Sequence, residues 1–382
     1  MKLRNALLGA CAAAVVGAGV AEAQNLRYAI GWPPGSSTAT AIDTMGQVTA
    51  AETDGALTVR LFPLSLLNFL EASEGVRDGL ADMVTILPPY FLSVYPATNF
   101  ASELSGLVDL EGLEGDLDAR AGIIFGSAFA EYVLLNCPAC IAEFAAANSV
   151  PLAGTSSPGY ILQCNKPVTT FEELQGKRIR AGGAWWARWA EGNGATPVSM
   201  SVNETFEALS QGVIDCTANA ATELTNFSFI DVATDITLGA PGAGFPAVIS
   251  TINKDTWGRL DADKRTAILK GAARVAGEVM WVYYTEAVAN IERSRERGIN
   301  VHVASDDLRE RSQAYIAADV ATIVASYNDR FGLGVGDAEV EKMRGLIQKW
   351  AGMVGDADSA DDLTAMVWDE ILSKVDPESF GM

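Results

Sequence analysis

Residues 171–219 constrain the fold more than any other stretch, because helix and strand signals alternate there at short intervals. Phe171-Glu172-Glu173-Leu174 reads as a short acidic helix start, Gly176 as a turn, and 177–181 as a strand carrying Arg180. Gly182-Gly183 breaks the chain, an aromatic helix follows, and a second strand is predicted over 197–200. Asn203 is expected to cap an amphipathic helix that stops at Gly212, where glycine reverses the chain cheaply. A third strand is predicted over 213–217. This is an α/β pattern. Ligands of such sheets gather at strand ends, where this stretch puts Arg180 beside two glycines and Asn219 after the third strand.

The first hundred residues read the same way. Strands are predicted over 25–32, 57–62 and 83–86, with helices over 38–51 and 66–79 between them. Two rigid proline loops leave the carboxyl ends of the first and third strands. One presents Trp32 and the other, Leu87-Pro88-Pro89-Tyr90, presents Leu87 and Tyr90, so both should lie on one edge of a parallel sheet. Residues 117–147 read as mostly helical, 150–154 and 160–163 as strands, and 236–252 as extended chain interrupted by a glycine-rich turn at 239–246. A single amphipathic helix is predicted over 262–296, long enough to span two lobes, then a strand over 300–304. Three helices over 308–330, 337–353 and 361–375 close the chain.

The formal net charge of −21 argues against nucleic-acid backbones and anionic lipid faces as partners. It leaves anion binding open, since one arginine can dominate a pocket. Lys2 and Arg4, an apolar run over 6–21 and Ala21-Glu22-Ala23 have the order of a secretory signal cleaved after Ala23, which implies export to the periplasm. Four cysteines remain after such a cut: Cys137, Cys140, Cys164 and Cys216. An even number in an oxidising compartment suggests disulfides, with the pairing left open. Cys137-Pro138-Ala139-Cys140 has redox-catalyst spacing but no thioredoxin-like surroundings. His302 is the single histidine, so neither a zinc site nor a Ser-His-Asp set is expected, and no metal or cofactor is implied. The glycines over 239–244 lack the lysine of a phosphate-binding loop. Asp306-Asp307 and Asp361-Asp362 sit at predicted helix starts, where they favour the dipole.

The central stretch resembles the solute-binding proteins of tripartite ATP-independent periplasmic (TRAP) transporters, the DctP-like family. Their acidic L-x-G-x-K-x-R strand is matched by Leu174, Gly176 and Arg180, with Arg178 in the lysine place. Their G-A-x-P is matched by Gly194-Ala195-Thr196-Pro197, and their A-L-x-x-G-x-x-D by Ala208-Leu209, Gly212 and Asp215. The likeness extends more weakly over about 25–303. It implies a two-lobed, periplasmic-binding-protein-like α/β fold: two mixed sheets flanked by helices, a long hinge-spanning helix and extra C-terminal helices. One lobe is expected from 24–155 plus about 245–284, the other from 156–244 plus about 285–330. The tail over 331–382 is longer than the resemblance predicts and is expected to cover a hydrophobic face or support a homodimer.

The resemblance also implies a role. The chain would capture a small organic acid and deliver it to the permease subunits of a TRAP transporter. Arg180 falls on the family's carboxylate-binding arginine and Asn219 on a side chain that helps hold the same group. A guanidinium suits that task because its rigid fork of donors matches a carboxylate. Without the resemblance, a surface salt bridge to Glu172 or Glu173 and a plain turn residue would be the simpler readings. Tyr160 stands where many members carry a second arginine, and a phenol cannot neutralise a second charge. With Trp32, Tyr90, Leu87, Trp185 and Phe245 as apolar or aromatic walls, the expected ligand has one carboxylate and an apolar or aromatic body. Core packing is the simpler reading of each aromatic. The rival classes are a periplasmic enzyme acting on small carboxylic acids and a ligand-sensing subunit of a signalling system.

Overall fold

Alternation of Leu26, Tyr28 and Ile30, all buried, makes residues 24–30 a strand whose inner face needs cover. In the computed structural model, which describes residues 23–113 and 119–382, this strand belongs to the first of two mixed sheets. The strands are β1 (Gln24–Ile30), β2 (Leu57–Pro63), β3 (Met83–Ile86), β4 (Ser149–Val150), β5 (Ala153–Ser156), β6 (Tyr160–Cys164), β7 (Arg178–Ala181), β8 (Thr196–Ser199), β9 (Cys216–Asn219), β10 (Asp235–Gly242), β11 (Pro246–Asn253) and β12 (Asn300–Val303). The first sheet runs β2-β1-β3-β11-β4, with β5 also on β11, and the second runs β12-β10-β6-β9-β7-β8. The leader predicted over 1–23 lies, but for its last residue, outside the described residues, as does the start of the helical stretch predicted from 117.

The fold is α/β and two-lobed, with each sheet flanked by helices. Parallel pairing of β1 with β2 and β3 requires crossovers, supplied by the helices Ser37–Glu52 and Ala72–Arg77. The chain leaves the first sheet after β5, builds most of the second, and returns as β11, every residue of which is buried. It crosses again along the helix Ala262–Glu296, whose bounds are those predicted. Asn290 near the end of that helix donates to the Ala221 carbonyl (3.0 Å), tying it to the second lobe.

Several local readings change. The helix expected over 66–79 is confined to Ala72–Arg77. The Asn68 side chain accepts from the backbone of Leu70 (2.8 Å) and Glu71 (3.1 Å), a local turn that competes with helix. The helix Val202–Ser210 is capped by Ser201 rather than Asn203, with Glu204 completing a capping box. The third strand of the central stretch starts at Cys216, because Val213 and Ile214 are still folded back onto the Ala208 carbonyl. The last helix is shorter than predicted, Ala360–Glu370, followed by a tight turn over Leu372–Lys374.

The tail completes the core. The helix Ala121–Glu131 is buried along its whole length and needs cover on every side. The helix Asp337–Val354 supplies part of it, with Trp350 fully buried and its indole N–H donating to Glu131 (2.8 Å). Trp257 donates likewise to the Phe380 carbonyl (2.7 Å), pinning the chain end. Both cysteine pairs are disulfides: Cys137 with Cys140, and Cys164 with Cys216, which face each other across β6 and β9.

Candidate functional site

Arg178 and Arg180 share a strand and diverge in fate. Arg178 is exposed and pairs with Asp215 (2.8 Å). Arg180 is 1% exposed and has no salt bridge to any described residue. Its Nε donates to the Met200 carbonyl (3.2 Å) and its Nη2 to the Tyr90 hydroxyl (2.7 Å). Its Nη1 is buried with no partner among the described residues. The two glycines after the strand make this geometry possible. A Cβ on Gly182 would sit 3.0 Å from both terminal nitrogens of Arg180, and one on Gly183 would sit 2.8 Å from Pro89 of the opposite lobe.

Tyr90 ends a turn, Pro88–Tyr90, held from behind by the Asn99 amide on the Pro88 carbonyl (2.8 Å). Its hydroxyl also accepts from the Val202 backbone (2.9 Å), so one oxygen joins the first lobe to two elements of the second. Asn203 donates to the Gly31 carbonyl (2.9 Å) alongside. Deeper in, Asn219 at the end of β9 accepts from Ala220 through Oδ1 (3.0 Å), and its Nδ2 is unpartnered among the described residues.

Glu223, four residues on, is 6% exposed. One oxygen accepts from the Tyr283 hydroxyl (2.5 Å), and the other has no partner among the described residues, since the nearby Asn226 and Trp32 N–H groups do not reach hydrogen-bonding geometry. Burial pushes this carboxyl up to about 7, although Tyr283, Asn226, Trp32 and the Arg180 charge pull the other way. Burial also raises the Tyr160 and Tyr283 phenols well above their usual range, so both remain neutral donors.

Aromatic rings close the site. Phe245 stacks on Tyr160 (5.8 Å between centroids) and on Trp186 (5.1 Å), and meets Tyr90 edge-on (6.0 Å). Trp32 stands edge-on to Phe69 (4.8 Å). Arg180, Asn219, Tyr160, Trp32, Tyr90, Leu87 and Phe245 thus line one cavity between the lobes. Its free volume is about 40 Å3, room for roughly three water molecules. Trp185 is the exception. On its helix, Ala184–Gly192, it packs edge-on to Tyr315 (6.0 Å) and does not line the cavity.

The sequence reading missed Glu223, Tyr283, Phe69 and the hydroxyls of Ser156 and Ser157, all of which line the cavity. A signal existed for two of them. Glu223 is the lone charge between Cys216 and Asn226, and Tyr283 continues the buried series Ala276, Val279 and Met280 at helical spacing. From the sequence, the hydroxyl-rich stretch over 153–159 carries no signal beyond a plain turn, whereas in the structure Ser157 accepts from the Phe245 backbone (3.0 Å).

The arrangement offers a buried cation and an amide donor to an acceptor group, beside one carboxyl. This is the equipment of an anion-binding pocket. The family model described as bacterial extracellular solute-binding protein, family 7 (DctP) matches residues 116–326, more than half the chain. The chain belongs to this family. A solute-binding protein of Sulfitobacter sp. (strain NAS-14.1) is 29% identical over 146 residues, which are 38% of this chain and 41% of that relative. Two solved structures share the fold. DctP7 of Bordetella pertussis, an extracytoplasmic solute receptor binding pyroglutamic acid, is 19% identical with a TM-score of 0.69, covering 85% of this chain and 100% of that one. A marine metagenome TRAP solute-binding protein specific for aromatic acid ligands is 22% identical with a TM-score of 0.72, covering 86% and 99%.

Proposed function

We propose that this family 7 protein is the periplasmic receptor of a TRAP transporter. It captures a small organic acid between its lobes and delivers it to the membrane permease. The observation that carries the reading is Arg180: a guanidinium 1% exposed, with one nitrogen unpartnered and no described acid in salt-bridge contact. An uncompensated buried charge is costly, and a ligand carboxylate relieves that cost on binding. Asn219 adds a second donor to the same group. Nη2 is already engaged by Tyr90, so the carboxylate is received mainly by Nη1 and the Asn219 amide rather than by a free fork.

The lobes are taken as 24–155 plus about 245–284 and 156–244 plus about 285–330, closing by a hinge along the Ala262–Glu296 helix. The mature chain starts after Ala23. The walls allow one carboxylate and a largely apolar body, since among the described residues no second cation lines the cavity to pair with another charge. A ring-bearing acid would have to part the Tyr160–Phe245 stack, because the present volume is small. Relatives of this fold whose names specify pyroglutamic acid and aromatic acids are consistent with that range.

A thermal-shift screen of the chain from Gln24 on tests the reading, using aliphatic dicarboxylates, sugar acids, 2-oxo acids and aromatic monocarboxylates. Ligand that binds only the folded state raises the melting temperature. A rise with monocarboxylates, recovered chemically intact, is expected. No rise with any acid contradicts the receptor reading, and a chemically altered acid contradicts transport in favour of catalysis.

A further inference from the structure

The cavity is asymmetric in its unmet hydrogen bonds. Arg180 Nη1 and Asn219 Nδ2 are donors without acceptors among the described residues, as a carboxylate ligand requires. Glu223 Oε2 is the opposite, an acceptor without a donor, buried in the same cavity. When Glu223 is ionised, a bound carboxylate cannot satisfy it, because the carboxylate brings only acceptors. The other oxygen of Glu223 is fixed by Tyr283 (2.5 Å), so the side chain is anchored and cannot turn away to seek another partner without losing that bond.

We propose that Glu223 determines specificity by accepting a hydrogen bond from the ligand, so that the preferred ligands are monocarboxylates bearing a hydroxyl or N–H donor rather than unsubstituted or oxo acids. This rests on the receptor reading above. A site built to receive a donor rejects the analogue that lacks it, because its own buried acceptor is then left unpaired.

Matched acids of nearly equal size isolate the donor: lactate, pyruvate and propionate, and mandelate, phenylglyoxylate and phenylacetate. Each is titrated calorimetrically into the wild-type chain from Gln24 on and into Glu223→Gln, at a pH of about 8, where the Glu223 carboxyl is ionised. The hydroxy acid of a set is expected to bind at least about tenfold more tightly than its oxo and unsubstituted partners. In Glu223→Gln the amide turns an N–H toward the ligand while its oxygen still meets Tyr283, and the hydroxy-to-oxo ratio is expected to fall below about threefold. Oxo acids binding the wild type as well as hydroxy acids overturns this inference and leaves the receptor reading intact. An equal loss for every acid in Glu223→Gln reduces Glu223 to a structural role and also overturns it. Failure of all six acids to bind overturns this inference, while the receptor reading stands or falls on the wider thermal-shift screen. A wild type without the hydroxy-acid preference overturns the inference even if the variant folds poorly.

Discussion

The hydroxyl of Tyr90 accepts a hydrogen bond from Arg180 Nη2 at 2.7 Å, joining a turn of the first lobe to the buried cation of the second. The same oxygen accepts from the Val202 backbone at 2.9 Å. The residue that bridges the lobes is therefore also bonded to the residue proposed to hold the ligand, so the interlobe contact and the proposed anion site share one guanidinium.

Tyr90→Phe removes both bonds while keeping the ring against Phe245. We predict a ligand affinity lower by about 1–2 kcal/mol, the scale of hydrogen bonds lost from a charged donor and a backbone amide. The free protein should shift toward an open form with a larger radius of gyration in small-angle scattering. Unchanged affinity and unchanged radius would mean that this contact does not govern closure.

Glu223 gives a pH dependence of fixed sign. Its folded-state value of about 7 lies above the ordinary 4.5, so between these values the native state holds a proton that the unfolded state has released. Stability from this group is intact at low pH and falls as pH rises through that window. The phenols facing it, Tyr160 and Tyr283, are raised well above their usual range by burial and stay neutral there. Glu223→Gln should therefore gain on the wild type by up to about 3 kcal/mol between pH 5 and pH 8 in urea melts. A stability difference that does not vary with pH would contradict this.

Trp350→Ala tests the role of the tail. The indole is fully buried and donates to Glu131. We predict a loss of about 3–5 kcal/mol in denaturant melts, from the cavity and the lost indole bond to Glu131, whose same oxygen keeps Lys349 (2.8 Å). A loss below about 1 kcal/mol would make the tail an accessory rather than part of the core.

The two disulfides should differ in weight. Cys164–Cys216 spans 52 residues and Cys137–Cys140 only 3. On loop entropy, replacing the long-range pair by alanines costs about 2 kcal/mol more than replacing the short-range pair. Equal melting temperatures for the two double variants would show that chain entropy is not what the longer bridge restrains.

Much of this was legible in the sequence, for identifiable reasons. The long helix has a strong period, an aspartate cap and no proline, so its bounds were readable. Arg180, Asn219, Trp32 and Tyr90 sit at strand ends or in loops just beyond them, and strand order sets their common edge. What escaped was set by tertiary structure. Trp185 and Trp186 are adjacent, and only packing against the Asp306–Phe331 helix decides which one faces Phe245. Glu223 escaped because its burial arises only when Tyr283 arrives from sixty residues away. The switch from Asn203 to Ser201 as cap turned on Glu204, a capping-box partner the sequence did contain.

The central claim is that Arg180 receives a ligand carboxylate in a closed cavity. The most direct test is calorimetric titration with the tightest-binding acid of the screen and with its uncharged carboxamide, in the wild type and in Arg180→Met. The account predicts that the wild type prefers the acid by at least about tenfold, and that Arg180→Met lowers acid affinity by about 1.5–3 kcal/mol and erases the preference. A carboxamide that binds the wild type as tightly as the acid, or an Arg180→Met variant that binds the acid unchanged, would contradict it.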